Sequence, residues 1–227
     1  MAFLLLPVVA QATTVTMQEG VSGYSGTRDA TIMSFSTNES ISDTTQIRAA
    51  DFMVYVLYFD VSSIADTATV NSAEVALQVS EQNCTDETIG VRQIEDPDAS
   101  GAFDFNGSAA DTFNDYATWA YKDHGSTIEW DSGATDFDDV MGNTNEDTQS
   151  SGACPGFVEV VFDVTNMVQD WVTNPSTNAG MAFSLADTGR VDVKNFRDGT
   201  AGNRPELTID YTAGGGGGGS RRVLVVQ

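Results

Sequence analysis

Met53-Val54-Tyr55-Val56-Leu57-Tyr58-Phe59 is apolar or aromatic at every position. A strand covered on one face alternates apolar and polar residues, and this run does not alternate. It therefore predicts a central strand packed on both faces. Working outward, residues 70–79 do alternate, with Ala73, Val75, Leu77 and Val79 on one face and Glu74 and Gln78 on the other. Residues 157–162, 181–185 and 207–211 read as further strands, separated by Gly, Asn, Asp and Ser. One short helix is expected, with Thr165 capping residues 166–172, Val168, Trp171 and Val172 on one face, and Pro175 as the stop. Many short strands without a long helical period define an all-β, antiparallel β-sandwich with one short helix. Residues 96–153 form a long, acidic, strand-poor stretch, and loops of that length are usually functional or held by something other than a core.

The chain has 227 residues, 41% of them hydrophobic, enough for one sizeable core. The expected organisation is an apolar N-terminal segment at 1–12, the sandwich at 13–213, a glycine linker at 214–220 and a tail strand at 221–227. The start, Ala2-Phe3-Leu4-Leu5-Leu6-Pro7-Val8-Val9, resembles the apolar core of a signal peptide, and Ala10-Gln11-Ala12 resembles its cleavage site, although no basic residues precede it. The same segment also reads as an exchanged strand. At the other end, six glycines and Ser220 tether Arg221-Arg222-Val223-Leu224-Val225-Val226-Gln227. Val223, Leu224, Val225 and Val226 have strand chemistry, and a strand on a flexible tether suits addition to a sheet edge. No stretch is long and apolar enough to span a membrane.

Asp and Glu number 33 against 10 Lys and Arg, a formal net charge of −23. Such a surface repels nucleic acid, anionic membranes and polyanionic glycans, and suits divalent cations or a saline exterior. Cys84 and Cys154 lie in turn-like polar sequence. In an oxidising compartment they are candidates for a disulfide closing a loop of about 70 residues, the alternative being two buried thiols.

Several segments carry a family resemblance. They are Thr13-Thr14-Val15-Thr16-Met17-Gln18-Glu19-Gly20 with Gly23-Tyr24-Ser25-Gly26-Thr27-Arg28-Asp29, then Leu57-Tyr58-Phe59-Asp60-Val61-Ser62-Ser63-Ile64 and Ala117-Thr118-Trp119-Ala120-Tyr121-Lys122-Asp123. Asp163-Val164-Thr165-Asn166-Met167-Val168-Gln169-Asp170-Trp171-Val172 and the closing Arg204-Pro205-Glu206-Leu207-Thr208-Ile209-Asp210-Tyr211 complete the set. Together, in order over residues 13–212, they resemble the DNRLRE-domain family, although the hexapeptide that names the family is absent. The resemblance implies a secreted or surface-attached, jelly-roll-like sandwich, often a module of larger proteins. Some relatives bind acidic polysaccharide such as alginate, and the charge of this chain departs from that pattern.

Chemistry-bearing clusters are few. Asp96, Asp98 and Ser100, closed by Gly101, have the alternating oxygen-ligand spacing of a calcium loop, but the expected distal Glu is replaced by Gly107. Asp136, Asp138 and Asp139 form a second acidic group, with Glu146 and Asp147 beyond it. Ca2+ is the cofactor these loops suit, while 33 carboxylates also cluster by chance. Trp119, Tyr121 and Trp130 are candidates for stacking on sugar rings, the alternative role being loop anchors. Asn38, Asn83 and Asn106 open formal glycosylation sequons. His124 is the single histidine and has no partners for zinc or triad chemistry, and no nucleophile elbow occurs, so no catalysis is expected. Two readings follow: an extracellular structural subunit that polymerises by terminal-strand exchange, or a calcium-dependent carbohydrate-binding or adhesive surface module.

Overall fold

A computed structural model describes residues 11–34, 40–41, 46–48, 53–81, 86–95, 121–123, 128–129, 141–142, 144–152, 156–186 and 189–214. In chain order the strands are β1 (Ala12–Gln18), β2 (Thr27–Met33), β3 (Ser40–Ile41), β4 (Gln46–Arg48), β5 (Met53–Phe59), β6 (Thr69–Glu81) and β7 (Thr88–Gln93). There follow β8 (Tyr121–Asp123), β9 (Ile128–Glu129), β10 (Asp147–Ser150), β11 (Val158–Asp163), helix α1 (Thr165–Thr173), β12 (Met181–Leu185), β13 (Arg190–Val193) and β14 (Glu206–Thr212). Every strand pairing among the described residues is antiparallel.

The hydrogen-bonded path β1-β14-β6-β13-β4-β5-β12-β7-β10 carries β11 on the other edge of β6, and β2 with β3 on the other edge of β5. This path bends at β13, which pairs β6 on one side and β4 on the other. Two leaves result, and they face each other. Phe162 of β11 meets Phe183 of β12 edge-on with ring centroids 5.2 Å apart, although the two strands belong to different leaves. The structure is the all-β sandwich with one short helix that the sequence predicts.

The interior follows the alternation of the strands. Ala73, Val75, Leu77 and Val79 of β6 face Tyr55, Leu57 and Phe59 of β5 in one buried cluster, which Met167, Val168, Trp171 and Val172 of α1 complete. Burying large side chains of this kind stabilises by roughly 1.5–3 kcal/mol each. The intervening residues of β5, Val54 and Val56, enter a second buried cluster with Ala30 and Ile32 of β2 and Ala182 of β12. The strand chosen as doubly covered is therefore buried on both faces.

Helix α1 spans the expected residues, but Thr165 does not cap it. Its Oγ1 donates to Asp163 Oδ1 at 2.6 Å and accepts the Ala73 N–H of β6 at 2.9 Å. The first N–H groups of the helix are taken instead by carboxylates, Thr165 N by Asp163 Oδ1 at 3.0 Å and Asn166 N by Glu146 Oε1 at 3.1 Å. A carboxylate accepts these orphan donors more strongly than a hydroxyl, because its charge also meets the positive end of the helix dipole. The helix ends before Pro175, which opens a 3-10 turn.

Candidate functional site

Most residues singled out from the sequence lie outside the described residues: Asp96, Asp98, Ser100, Asp136, Asp138, Asp139, Cys84, Cys154, Trp119, Trp130, Asn38, Asn83, Asn106 and Val223, Leu224, Val225 and Val226. Tyr121 is placed by its backbone in β8, opposite Glu129 of β9. The long acidic stretch does have a defined neck. Ile94 and Met141 form an antiparallel bridge, and the Gly142 N–H donates to the Gln93 carbonyl at 2.9 Å. The chain thus departs toward Asp96 and returns from Asp139 at neighbouring positions. Among the described residues, no group of three or more His, Cys, Asp or Glu is arranged to hold a metal ion.

Glu146 and Asp147 serve the fold. Besides Glu146 on α1, Asp147 Oδ2 accepts the Asp163 N–H at 3.0 Å and Gln149 Nε2 at 2.8 Å, which ties β10 to β11 across the open side of the sandwich. Burial raises the Asp147 carboxyl, but these bonds and one from the Thr148 N–H outweigh it and hold the group below the usual carboxylate range.

Two features missed in the sequence stand out. The first is β1. It pairs β14 in unbroken register from Ala12↔Thr212 to Gln18↔Glu206, and among the described residues its outer edge has no partner strand. Edge strands are normally blunted by charge, Pro or a bulge. This one has seven residues, Ala-Thr-Thr-Val-Thr-Met-Gln, with none of these devices. The sequence did hold the signal, since residues 1–18 contain no charge in a chain of net charge −23. The register also brings Ala12 and Thr212 side by side, so the N-terminal segment and the tail leave the sandwich at the same end of this edge.

The second feature is a buried carboxyl. Asp29 of β2 is 3% exposed, between the leaves, and its Oδ2 accepts the Tyr55 hydroxyl at 2.7 Å and the Phe196 N–H at 2.8 Å. Its Oδ1 and the buried Nη1 of Arg197 have no hydrogen-bond partner among the described residues. Burial pushes Asp29 up to about 7, against the lowering effect of the Tyr55 and Phe196 bonds and of the Arg197 charge. Burial likewise drives the Tyr55 phenol well above its ordinary value, reinforced by Asp29. The group fastens β2 to β5 and to the turn after β13.

No family model matches the chain and no curated protein matches it, so the likeness of residues 13–212 to the DNRLRE family rests on the segments quoted above.

Proposed function

We propose that the protein is a non-enzymatic, extracellular or surface-attached structural subunit that assembles head to tail, a terminal segment of one copy adding to the sheet of the next. The observation that carries this reading is the β1 edge, seven uncharged residues beside the exit of both apolar-ended termini. Backbone N–H and C=O groups along such an edge are a template for another strand. Addition of a terminal strand is a heterologous contact, and when it does not close on itself it builds an open filament. Electron microscopy and sedimentation of the full chain test it. Filaments should form, and removal of both 1–9 and 215–227 should leave a folded monomer with unchanged circular dichroism. Filaments that persist in the doubly trimmed chain overturn the reading.

A second reading, a calcium-dependent carbohydrate-binding or adhesive module, draws support from the Ile94↔Met141 neck. Ile94 and Met141, which flank the stretch that holds Asp96, Asp98, Ser100, Asp136, Asp138 and Asp139, pair in an antiparallel bridge, and oxygen-rich side chains of this kind are what Ca2+ takes as ligands. It predicts glycan affinity that is lost on Trp119→Ala or Trp130→Ala and on calcium removal. The absence of binding across a broad panel of neutral and acidic glycans rejects it.

A further inference from the structure

Resting on the reading of β1 as the assembly edge, we propose that Asp29 is a pH-sensitive switch for that edge, acting through the turn after β13 and Arg204 on the Gln18 end of β1. The path is a continuous set of hydrogen bonds. The Phe196 N–H donates to Asp29 Oδ2 at 2.8 Å, which fixes the turn of residues 195–198 to β2. Two residues on, the Asp198 carbonyl accepts Arg204 Nε at 2.8 Å. Arg204 then holds the end of β1 twice, its Nη1 donating to the Glu19 carbonyl at 2.7 Å and its own carbonyl accepting Gln18 Nε2 at 2.9 Å. Glu19 closes the circuit, because its Oε2 accepts the Thr27 N–H at 3.1 Å, two residues before Asp29 on β2.

The turn is braced internally, so it passes a displacement on instead of absorbing it. The Asn195 carbonyl accepts the Asp198 N–H at 3.1 Å, and Asn195 Oδ1 accepts the Arg197 N–H at 3.0 Å. Asp198 in turn accepts the Thr200 N–H at 2.9 Å and pairs with Lys194 at 3.1 Å. At the receiving end, Gly20 has a φ of +76°, and an added Cβ there would lie 2.8 Å from Arg204 Nη1. The connection from β1 to β2 is thus packed directly on the guanidinium. Contiguous hydrogen-bonded elements of this kind carry coupling between sites.

The second oxygen of Asp29 gives the turn its two states. Oδ2 has two donors, Tyr55 and Phe196, whereas Oδ1 and Arg197 Nη1 are both buried and unpartnered among the described residues. The titratable or charged groups that face the carboxyl among those residues are Tyr55 from β5 and Arg197 from the turn. While the carboxyl keeps its proton, Arg197 lies against its neighbour's ring, its guanidinium carbon 4.8 Å from the Phe196 centroid. Loss of the proton leaves a buried carboxylate whose Oδ1 has no donor, and a buried charge is tolerated only when it is paired or solvated. Bringing Arg197 Nη1 or water to Oδ1 shifts the turn, takes the Asp198 carbonyl with it and loosens Arg204 from the end of β1. Burial places that proton loss near pH 7. An edge strand serves as a template only while its backbone is held extended.

Hydrogen exchange of the full chain, below the concentration of assembly, tests the switch at the Gly20 and Val21 amides, which bond to the Tyr24 and Gln18 carbonyls beside Arg204. Their protection factors should fall at least about tenfold from pH 5 to pH 8 and level off above about pH 7, because opening returns Asp29 to its ordinary range. Asp29→Asn should abolish this dependence, and His124→Gln, which removes the single histidine, should leave it intact. Arg204→Met keeps the test independent of how Asp29→Asn folds. In it, protection at Gly20 and Val21 should be low and flat with pH, while amides of β6 keep the pH dependence of the core. Protection that is flat in the parent chain, or that keeps its dependence in Arg204→Met, overturns the proposal. Filaments should form more readily at pH 6 than at pH 8, where ordinary carboxylates are ionised at both, and Arg204→Met should lose that preference. The two readings fail separately. Filaments from a chain whose Gly20 and Val21 ignore pH overturn the switch and leave assembly standing. A pH-dependent β1 end without filaments under any condition supports the switch and overturns assembly.

Discussion

Asp29 shows how one residue can escape a sequence reading and still set a measurable property. In Thr27-Arg28-Asp29-Ala30-Thr31-Ile32-Met33 the polar residues Thr27, Asp29 and Thr31 share one face, and all three are buried between the leaves. No local pattern announces this, because the Tyr55 hydroxyl and the Phe196 N–H that satisfy Asp29 come from 26 and 167 residues away. The consequence is a pH dependence of definite sign. The carboxyl titrates near 7 in the fold against 3.8 ordinarily, so the folded state binds the proton more tightly than the unfolded chain between those values. Its contribution to stability is full below about pH 4, declines as pH rises and is gone by about pH 7. Asp29→Asn keeps the acceptor for Tyr55 and Phe196 and removes the titration. From pH 4 to pH 8 the urea-derived stability of the variant, relative to the parent chain, should improve by on the order of 3 kcal/mol. A difference between the two that stays flat with pH shows that Asp29 does not titrate in this range.

At the scale of elements, the legible strands are those whose side chains obey the simple periods. β5 and β12 were readable to the residue, and β6 by its alternation, because burial alone decides their composition. The short corner strands β4 and β13 were not, since their places come from pairing across the bend of the sheet. Helix α1 was legible in extent but not in its start, where the acceptors are Asp163 and Glu146, the latter 20 residues upstream. That start permits a sharp comparison. Thr165→Val keeps the side-chain shape but removes the acceptor of the Ala73 N–H, leaving a partly buried donor in β6 unsatisfied, at about 1–3 kcal/mol. Asp163→Ala removes the helix-start acceptor and should cost about 1 kcal/mol. Urea midpoints of the two single variants decide it. A cost near zero for Thr165→Val would mean that its hydroxyl does not carry the bond to β6.

Over the whole molecule, charge is the property most visible in the sequence, and its effect depends on how the cations are used. Ion pairs within the described residues include Arg190–Asp192 at 3.3 Å and Lys194–Asp198 at 3.1 Å, both partly exposed and worth little. Other cations serve the backbone: Arg204 donates to the Glu19 and Asp198 carbonyls and Arg28 to that of Thr27. Ten Lys and Arg cannot offset 33 carboxylates wherever they bond, so repulsion outweighs pairing and salt must act in one direction. Going from about 0.1 M to about 1 M NaCl shortens the screening length from about 10 Å to about 3 Å and relieves repulsion between surface groups. The melting temperature should rise by about 5 °C, equivalent to roughly 2 kcal/mol for a domain of this size. A fall in melting temperature would mean that ion pairs dominate instead. The same screening acts between copies, so filament formation should be favoured by NaCl at fixed protein concentration, as sedimentation can show. Calcium separates the two functional readings within this experiment. At constant ionic strength, millimolar CaCl2 should add nothing to the stabilisation by NaCl if the acidic surface acts only through its mean charge. A further rise that MgCl2 does not reproduce would place a specific oxygen-ligand set in the stretch between Asp96 and Asp139, because Ca2+ takes more and longer oxygen contacts than Mg2+ accepts.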